Sequence, residues 1–259
     1  MKLLTLARDL QRRKARDRHQ RFVAEGVRTV ETLLDSPLTV VGILATAALA
    51  ADPRGSSLLA QAAARHIPVY DVSESELDSA ADTDTPQGVL AIAEMPTREL
   101  GTPPASARFL VLDALQDPGN VGTVVRTAAA LGVTATLALP GTVDLWNAKV
   151  VRSSMGALFQ HTALPVTWES LCTFLDAQSV ALWVADSDGD LLDDEVSPAV
   201  PARLALAVSN EGAGVSAMVA QRAERRVGIR MAAGVESLNV AVATGILLNA
   251  LRLRAPSVV

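Results

Sequence analysis

The chain has 259 residues, and 49% of them are hydrophobic, so it can bury more than one core and its length favours two domains over one. Its single cysteine, Cys172, excludes an intrachain disulfide and a zinc site built on cysteines, and its three histidines lack metal-ligand spacing. The first apolar run is too short for a signal peptide, and the longest runs are too short to span a bilayer. We therefore expect a soluble, cytoplasmic protein with no metal and no membrane partner.

The net charge of −5 argues mildly against nucleic acid as a partner, but the charge is unevenly distributed. Residues 1–28 hold nine basic and three acidic side chains, so this end carries +6 and the remainder −11. A charge run is usually a solvated helix face. Here the acids are too few to pair with the bases, which favours RNA contact. The predicted RNA-binding side chains are Arg12, Arg13, Arg16 and Arg21.

The first 97 residues alternate predicted helices and strands, which indicates a small α/β domain. Helices are predicted at 1–19, 29–34, 45–51 and 56–66, and strands at 21–26, 38–44, 67–72 and 87–93. Ser73 and Glu76 have the spacing of a capping box, so a further short helix begins there. Residues 95–106 contain three prolines and no apolar periodicity. This composition is typical of a linker, which we place at 98–106 between domains 1–97 and 107–259.

The second domain also alternates strands and helices, but its strands are continuous apolar runs. Strands are predicted at 109–112, 134–139, 163–167, 180–185, 204–208 and 226–231, and helices at 121–131, 147–160, 169–177, 216–224 and 240–252. This pattern predicts a parallel sheet covered by helices on both faces, with ligands at the carboxyl ends of the strands. The acidic run 186–195 lacks EF-hand spacing and is predicted to be a solvated loop.

Three stretches of this domain carry a resemblance to a known family. They read DALQDPGNVGTVVRTAAALG at 113–132, LALAVSNEGAGVS at 204–216, and IRMAAGVESLNVAVATGILLNALR at 229–252. Together and in this order they resemble the three motifs of the SpoU (TrmH-type) branch of the SPOUT RNA methyltransferases, over roughly residues 108–254. More loosely, FVAEG and TPQGVLA in the first domain are similar to the ribosomal-protein-like RNA-binding domain that precedes many SpoU domains. The resemblance implies an α/β fold with a deep trefoil knot in the C-terminal segment.

The resemblance also implies a set of catalytic residues: Asn120, Arg126, Glu211, Ser237 and Asn239. Because an arginine keeps its proton, we expect Arg126 to clamp the substrate phosphate and orient the ribose 2′-OH rather than act as a general base. Structural alternatives remain for three of these positions. Asn239 is a good N-cap, the glycines around Asn120 precede a helix and form a generic anion site, and Glu211 can serve as a first-turn carboxylate.

The cofactor implied by the resemblance is S-adenosyl-L-methionine. Its predicted binding residues are Ser209, Gly214, Ile229, Met231 and Leu238, of which Ile229 and Leu238 match positions whose backbone holds the adenine. No G-x-G-x-x-G follows the first strand, so a Rossmann-type cofactor site is not supported. The chain departs from the family pattern at Ser209, where glycine is usual, and at Arg230, where proline is usual.

The reaction implied is transfer of a methyl group to a ribose 2′-OH in structured RNA. Ribosomal RNA is the favoured substrate, because the extra N-terminal domain suits a large folded RNA. Two alternatives remain open: a transfer-RNA 2′-O-methyltransferase, and a catalytically silent RNA-binding protein of the same fold. The resemblance further implies a homodimer through the C-terminal domain, to which the apolar helix 240–253 is expected to contribute.

Overall fold

A computed structural model describes residues 2–192, 199–210, 214–235 and 237–253. The chain divides into two compact units. Unit 1 contains Met1–Thr97 and Trp146–Gln160, and unit 2 contains Arg98–Leu145 and His161–Val259. The domain limits drawn along the sequence therefore stay a prediction, since unit 1 also takes in a segment from the middle of the second half.

The first 97 residues contain six helices and four strands within the described part of the chain. The helices are α1 (Lys2–Asp9), α2 (Arg13–His19), α3 (Val27–Leu34), α4 (Ala47–Ala51), α5 (Pro53–Ala64) and α6 (Glu74–Asp78). The strands are β1 (Arg21–Glu25), β2 (Val40–Ala45), β3 (Val69–Asp71) and β4 (Val89–Glu94). The predicted capping box at the start of α6 is confirmed, because Ser73 and Glu76 each accept a hydrogen bond from the other's backbone N–H.

The remaining described residues form six strands and six helices. The strands are β5 (Ala107–Asp113), β6 (Ala135–Ala138), β7 (Ala163–Pro165), β8 (Ala181–Leu191), β9 (Arg203–Ser209) and β10 (Arg225–Gly228). The helices are α7 (Pro118–Ala130), α8 (Ala148–Ser153), α9 (Ala157–Gln160), α10 (Trp168–Gln178), α11 (Ala217–Arg222) and α12 (Val240–Leu253). The single helix predicted over 147–160 is wrong, because Met155 and Gly156 both adopt positive φ and separate α8 from α9.

Unit 1 is built on a four-stranded sheet in the order β1-β4-β2-β3, in which β1 and β2 pair with β4 antiparallel and β3 joins β2 in parallel. One face packs on α1 and α6 through residues such as Leu4, Val23 and Leu77. Neighbouring strand residues point to opposite faces. On the other face, Phe22 packs against Trp146 and Phe159, with ring centroids 4.5 and 5.8 Å away. These aromatic contacts explain why residues 146–160 belong to unit 1.

Unit 2 is built on a six-stranded sheet in the order β10-β8-β9-β5-β6-β7, and every neighbouring pair is parallel. The predicted parallel sheet is thus confirmed. One core joins the sheet to α10 and α11 through residues such as Phe109, Leu171 and Val219. The helices α7 and α12 pack against each other, and α12 also contacts β9. The trefoil knot implied by the family resemblance stays a prediction.

Candidate functional site

The carboxyl ends of β5 and β9 lie side by side, because these two strands are neighbours and Asp113 pairs with Ser209. Asp113 is only 5% exposed, and its Oδ2 accepts a hydrogen bond of 2.6 Å from the N–H of Ser216. Asn210 Nδ2 donates to the carbonyl of Ala114 at 2.8 Å. Ala114 has a φ of +56°, which is uncommon for a residue other than glycine. The first and second motifs are therefore tied together by two hydrogen bonds.

The third motif is joined to the first by a pair of asparagines. Asn239 Oδ1 accepts from the N–H of Ala241 at 3.0 Å, which confirms its predicted role as a cap of α12. Asn239 Nδ2 donates to Asn120 Oδ1, also at 3.0 Å. Asn120 lies in the first turn of α7, where Asp117 caps the helix by accepting from the Asn120 N–H at 2.7 Å. The asparagine pair thus brings together the positive ends of two helix dipoles.

A cavity of about 200 Å³ opens at the carboxyl ends of β9 and β10, beside the middle of β8, and at the start of α12. It is lined by all five residues predicted to bind the cofactor and by one predicted catalytic residue: Ser209, Gly214, Ile229, Met231, Leu238 and Ser237. Val208, Val227 and Leu247 supply apolar walls, and Asn210 supplies an amide. Such a mixture of apolar walls and a few convergent polar groups is typical of a small-molecule site.

Asp186 also lines this cavity, and sequence reasoning missed it. The prediction of a solvated loop from residue 186 is wrong up to Leu191, because β8 continues to that residue. Asp186 Oδ2 lies 3.2 Å from Arg226 Nη1 and its Oδ1 accepts from the Asp188 N–H, so the carboxylate is held at the edge of the sheet. The available signal was its position directly after the apolar run 180–185, which had been predicted as a strand of a parallel sheet.

Arg126 does not line the cavity. It lies on the exposed side of α7, six residues after Asn120, which corresponds to about 9 Å along a helix axis. Within the described residues it has no ion-pair or hydrogen-bond partner, so its guanidinium is available to an external anion. Glu211, the remaining predicted catalytic residue, lies outside the described residues.

The four arginines predicted to bind RNA have different surroundings in unit 1. Arg12 is exposed. Arg13 Nε lies 3.8 Å from Asp17 Oδ2, and Arg21 Nη2 lies 3.7 Å from Glu94 Oε1. Arg16 requires a correction. It is only 4% exposed, and its Nη1 donates to the carbonyls of Leu10 and Gln11.

The break between α1 and α2 produces the burial of Arg16. The single helix predicted over 1–19 is wrong, since α1 ends at Asp9 and Arg12 has extended backbone angles. Carbonyls at the end of a helix lack intrahelical partners, and the Arg16 guanidinium satisfies two of those in the break. The side chain therefore stabilises this turn and is not available to RNA.

A buried histidine lies in unit 2, away from the residues that line the cavity. His161 Nε2 is 2.8 Å from Thr136 Oγ1, and Arg98 donates to the His161 carbonyl. Burial, and secondarily the charge of Arg98, lowers the pKa of His161 to about 4. The ring is therefore neutral at neutral pH. Cys172 is half-buried, and burial raises the pKa of its thiol.

Neither a metal-ligand cluster nor a membrane span was found in the described part of the chain. Over residues 2–192, 199–210, 214–235 and 237–253, no three His, Cys, Asp or Glu side chains form a group that could hold a metal ion. None of the helices in the same ranges is both long enough and apolar enough to cross a bilayer.

Two family models match the chain. The SpoU rRNA Methylase family matches residues 107–249, and the MRM3-like substrate binding domain matches residues 5–91. Among curated proteins, the 23S rRNA (guanosine(2553)-2′-O)-methyltransferase RlmP of Bacillus subtilis (strain 168) is 34% identical over 246 residues. That alignment covers 94% of this chain and 93% of the relative.

Solved structures show the same likeness over nearly the whole chain. The AdoMet-bound rRNA methyltransferase from Sinorhizobium meliloti aligns with a TM-score of 0.83 and 28% identity, covering 98% of this chain and 95% of that one. An RNA 2′-O ribose methyltransferase aligns with a TM-score of 0.81 and 28% identity, covering 97% of this chain and 95% of that one.

Proposed function

Because the chain belongs to the SpoU rRNA methylase family, we propose that it transfers a methyl group from S-adenosylmethionine to a ribose 2′-OH of ribosomal RNA. The observation that carries the proposal is the cavity at the carboxyl edge of the sheet, with the Asn120–Asn239 pair at the joined ends of α7 and α12. The name and the 94% coverage of the Bacillus relative support ribosomal RNA over transfer RNA. A substrate of this kind also supports the predicted cytoplasmic location.

The residues around the cavity fit S-adenosylmethionine, whose sulfonium supplies an activated methyl group without a metal. Val208, Val227 and Leu247 offer apolar surface to a purine ring. Asp186 adds a carboxylate to this lining, which suits the positive charges and the ribose hydroxyls of this cofactor. Bound AdoMet in the Sinorhizobium relative supports this choice of cofactor. Ser209, where the family usually has glycine, adds a hydroxyl to the lining without closing the cavity.

The described catalytic side chains have different roles. Asn120 and Asn239 fix each other and hold the third motif against α7. The exposed Arg126 binds a phosphate of the RNA and, since it keeps its proton, acts through charge and orientation. Ser237 contributes a hydroxyl at the cavity wall. The role of Glu211 rests on the family motif alone, since the residue lies outside the described ranges.

We also propose that two chains associate through unit 2. Val242 and Ile246 are 52% and 44% exposed and lie four residues apart on α12, so they form one apolar stripe. This stripe is on the helix that packs against α7, which carries Arg126. A second copy covering the stripe would bring its surface close to the proposed RNA phosphate contact.

The test of the function is transfer of a labelled methyl group from S-adenosylmethionine to protein-free 23S ribosomal RNA, with transfer RNA as the competing substrate. Arg126→Ala should lower the single-turnover rate at saturating RNA by at least about a hundredfold, as when one preorganised electrostatic donor is lost. Arg126→Lys should recover only part of the rate, because a lysine is a point charge without the planar fork.

The control is Arg222→Ala, which removes another partly exposed arginine of unit 2, one that pairs with Asp176 at 2.6 Å. Its transfer rate should match that of the wild type. Near wild-type turnover by Arg126→Ala would remove Arg126 from the site. Cofactor binding without transfer to either RNA would favour the silent RNA-binding protein, and transfer only to transfer RNA would favour that substrate.

A further inference from the structure

Strand β8 contains a β-bulge beside the cavity of unit 2, where its pairing with β10 shifts in register. Arg226 of β10 pairs with Val184 of β8, but the next residue of β10, Val227, pairs with Asp190. Residues 185–189 of β8 are therefore extra relative to β10, and we call them the β8 bulge. Bulges redirect side chains and are common next to binding and catalytic sites.

The first half of the β8 bulge lines the cavity through Ala185, Asp186 and Ser187. Among the described residues that line the cavity, Asp186 alone has an ionisable side chain. That side chain is 25% exposed, and its Oδ1 accepts a hydrogen bond of 3.0 Å from the Asp188 N–H within the same bulge. A partly buried carboxylate attracts a cationic ligand more strongly than a fully solvated one. The conformation of the β8 bulge therefore determines where this charge lies in the cavity.

Two glycines allow the β8 bulge to lie directly against the backbone of β10. A Cβ added to Gly189 would lie 2.6 Å from the backbone nitrogen of Val227 and 2.7 Å from the carbonyl carbon of Arg226. A Cβ added to Gly228 of β10 would lie 2.8 Å from the carbonyl oxygen of Asp186. Because these neighbours are backbone atoms, rotation of a side chain could not relieve either overlap. The close approach of the two strands therefore requires glycine at both positions.

Two ion pairs join β8 to β10, one near each end of the β8 bulge. Asp186 Oδ2 lies 3.2 Å from Arg226 Nη1, and Asp190 Oδ2 lies 2.6 Å from Arg225 Nη1. The Arg225 guanidinium also lies 5.7 Å from the ring centroid of Trp183, which precedes the bulge on β8. Arg225 thus contacts β8 on both sides of the bulge and limits the positions that the bulge can adopt.

We propose that Gly189, Asp190 and Arg225 are positioning residues for the cofactor, which they affect by fixing the β8 bulge and hence the Asp186 carboxylate. The identity of the cofactor as S-adenosylmethionine rests on the proposed function. None of the three positioning residues lines the cavity, so a change at any of them reaches the ligand only through the bulge or through long-range charge. Displacement of the bulge should weaken cofactor binding and leave the transfer step at saturating cofactor within about twofold of the wild-type rate, as for a loss of uniform binding.

The main test is Gly189→Ala in the full chain, with the Kd for S-adenosylmethionine measured by calorimetry. The Kd should rise by at least about tenfold, because a misplacement of about 1 Å at a site can cost up to about a hundredfold. Gly55→Ala is the matched control, since its added Cβ would lie 2.1 Å from the Leu49 carbonyl oxygen in unit 1. Its Kd should equal that of the wild type. Thermal unfolding shows the temperature range in which both variants are folded, and calorimetry is carried out within it.

Asp190→Asn is a milder second variant, which decides the question if Gly189→Ala does not fold. It removes the charge that pairs with Arg225, so the Kd should rise about two- to fivefold, the effect of one exposed ion pair. Asp176→Asn is its control, because it removes an ion pair to Arg222 that is also 2.6 Å long and lies outside the cavity lining. Its Kd should not change. Asp190→Arg combined with Arg225→Asp restores the pair with reversed charges and should recover most of the lost affinity.

A wild-type Kd in Gly189→Ala, or an equal rise in Gly55→Ala, would overturn the positioning proposal, as would equal effects of Asp190→Asn and Asp176→Asn. A slower single-turnover rate at saturating cofactor with an unchanged Kd would overturn it as well.

Failure of the proposed function gives a different pattern. If the wild type binds no S-adenosylmethionine, the proposed function fails and the positioning proposal fails with it. If the wild type binds the cofactor and Gly189→Ala weakens that binding, but no methyl group is transferred to ribosomal or transfer RNA, the enzyme proposal fails alone. If the wild type transfers the methyl group and the bulge variants bind the cofactor with the wild-type Kd, the positioning proposal fails alone.

Discussion

At the scale of single residues, Asn239 combines two tasks that can be separated by substitution. Its Oδ1 caps α12 and its Nδ2 bonds to Asn120. Asn239→Ser should retain the cap, because serine is a good N-cap, but its side chain is too short for the bridge. We expect the free energy of unfolding to stay close to that of the wild type while methyl transfer falls by about a hundredfold, the scale of a small misplacement at a site.

Asn239→Ala is the variant for comparison. Its rate of methyl transfer should fall by the same factor, and its free energy of unfolding should also decrease by about 1 kcal/mol, because the cap is gone. Urea denaturation and single-turnover transfer are measured on both variants. Transfer at the wild-type rate by Asn239→Ser would show that the bridge to Asn120 has no part in the reaction.

His161 predicts a pH dependence of stability. Its pKa in the folded chain is about 4, against an ordinary value of 6.5 for histidine, so the unfolded chain binds the proton more readily. The stability is therefore fully present above pH 6.5 and is lost as the pH falls from 6.5 towards 4. The free energy of unfolding should decrease by about 2 kcal/mol between pH 7 and pH 5 from this residue.

Urea denaturation at pH 7 and pH 5 measures the effect, with His161→Gln as the variant and His19→Gln as a control at an exposed histidine. The difference in the free energy of unfolding between pH 7 and pH 5 should shrink in His161→Gln and persist in His19→Gln. An equal pH dependence in all three proteins would place its origin in other groups.

Local sequence was sufficient for some of these residues and not for others. The capping roles of Asn239 and Ser73 follow from residues within three positions along the chain, so a short window contains the cause. The cavity residues Ser209 and Leu238 came from a family motif, and the structure places both at one cavity. Arg16 was predicted to bind RNA from a count of charged residues. Such a count cannot show the break between α1 and α2 that buries its side chain.

At the scale of elements, the separation of α8 from α9 is fixed by Gly156. This residue has a φ of +84°, and an added Cβ would overlap the side chain of Thr32 on α3. Gly156→Ala should therefore lower the free energy of unfolding through both backbone strain and overpacking, by about 2–4 kcal/mol together. Denaturant unfolding measures the loss.

Gly132→Ala is the matched control. Gly132 has a φ of +74°, but an added Cβ would meet no atom within 4 Å, so only backbone strain remains. We expect a loss of about 1–2 kcal/mol at this position. Equal losses in the two variants would mean that the contact with Thr32 adds nothing.

The ends of helices and strands were predicted best where the residues that determine them are close together in sequence. The helix over 147–160 was extended through Gly156 because its apolar spacing continues, and the left-handed backbone at Met155 is not visible in that spacing. The continuation of β8 to Leu191 depends on distant partners. Asp186 pairs with Arg226, and Asp190 pairs with Arg225 at 2.6 Å, across about 35–40 residues of chain.

At the scale of the whole molecule, the proposed dimer gives a direct prediction. Val242→Glu places a charge in the exposed apolar stripe of α12 and should convert a dimer into a monomer at micromolar concentration. Met218→Glu is the control, because Met218 is 51% exposed on α11, outside the stripe. Light scattering on the full chain measures the mass. A wild-type monomer, or a Val242→Glu dimer, would contradict the proposed interface.

The parallel sheet of unit 2 could be predicted from sequence because buried parallel strands read as continuous apolar runs. The assignment of 146–160 to unit 1 could not, since it depends on Phe22 packing against Trp146 and Phe159 from a remote part of the chain. A single boundary at residue 97 cannot describe the segment 146–160, which lies in the second half of the sequence but packs in unit 1.

The pairing of β5 with β9 also determines when unit 2 can form during synthesis. Ala107 pairs with Arg203, so the two central strands of the sheet are separated by about a hundred residues of chain. At about 5–20 residues per second on the ribosome, β5 waits about 5–20 seconds for its central neighbour. During that time the backbone N–H and C=O groups along one edge of this apolar strand have no partner strand, which favours assistance by chaperones and slow refolding in vitro. The site, which needs the loops after both strands, can be assembled only after that delay.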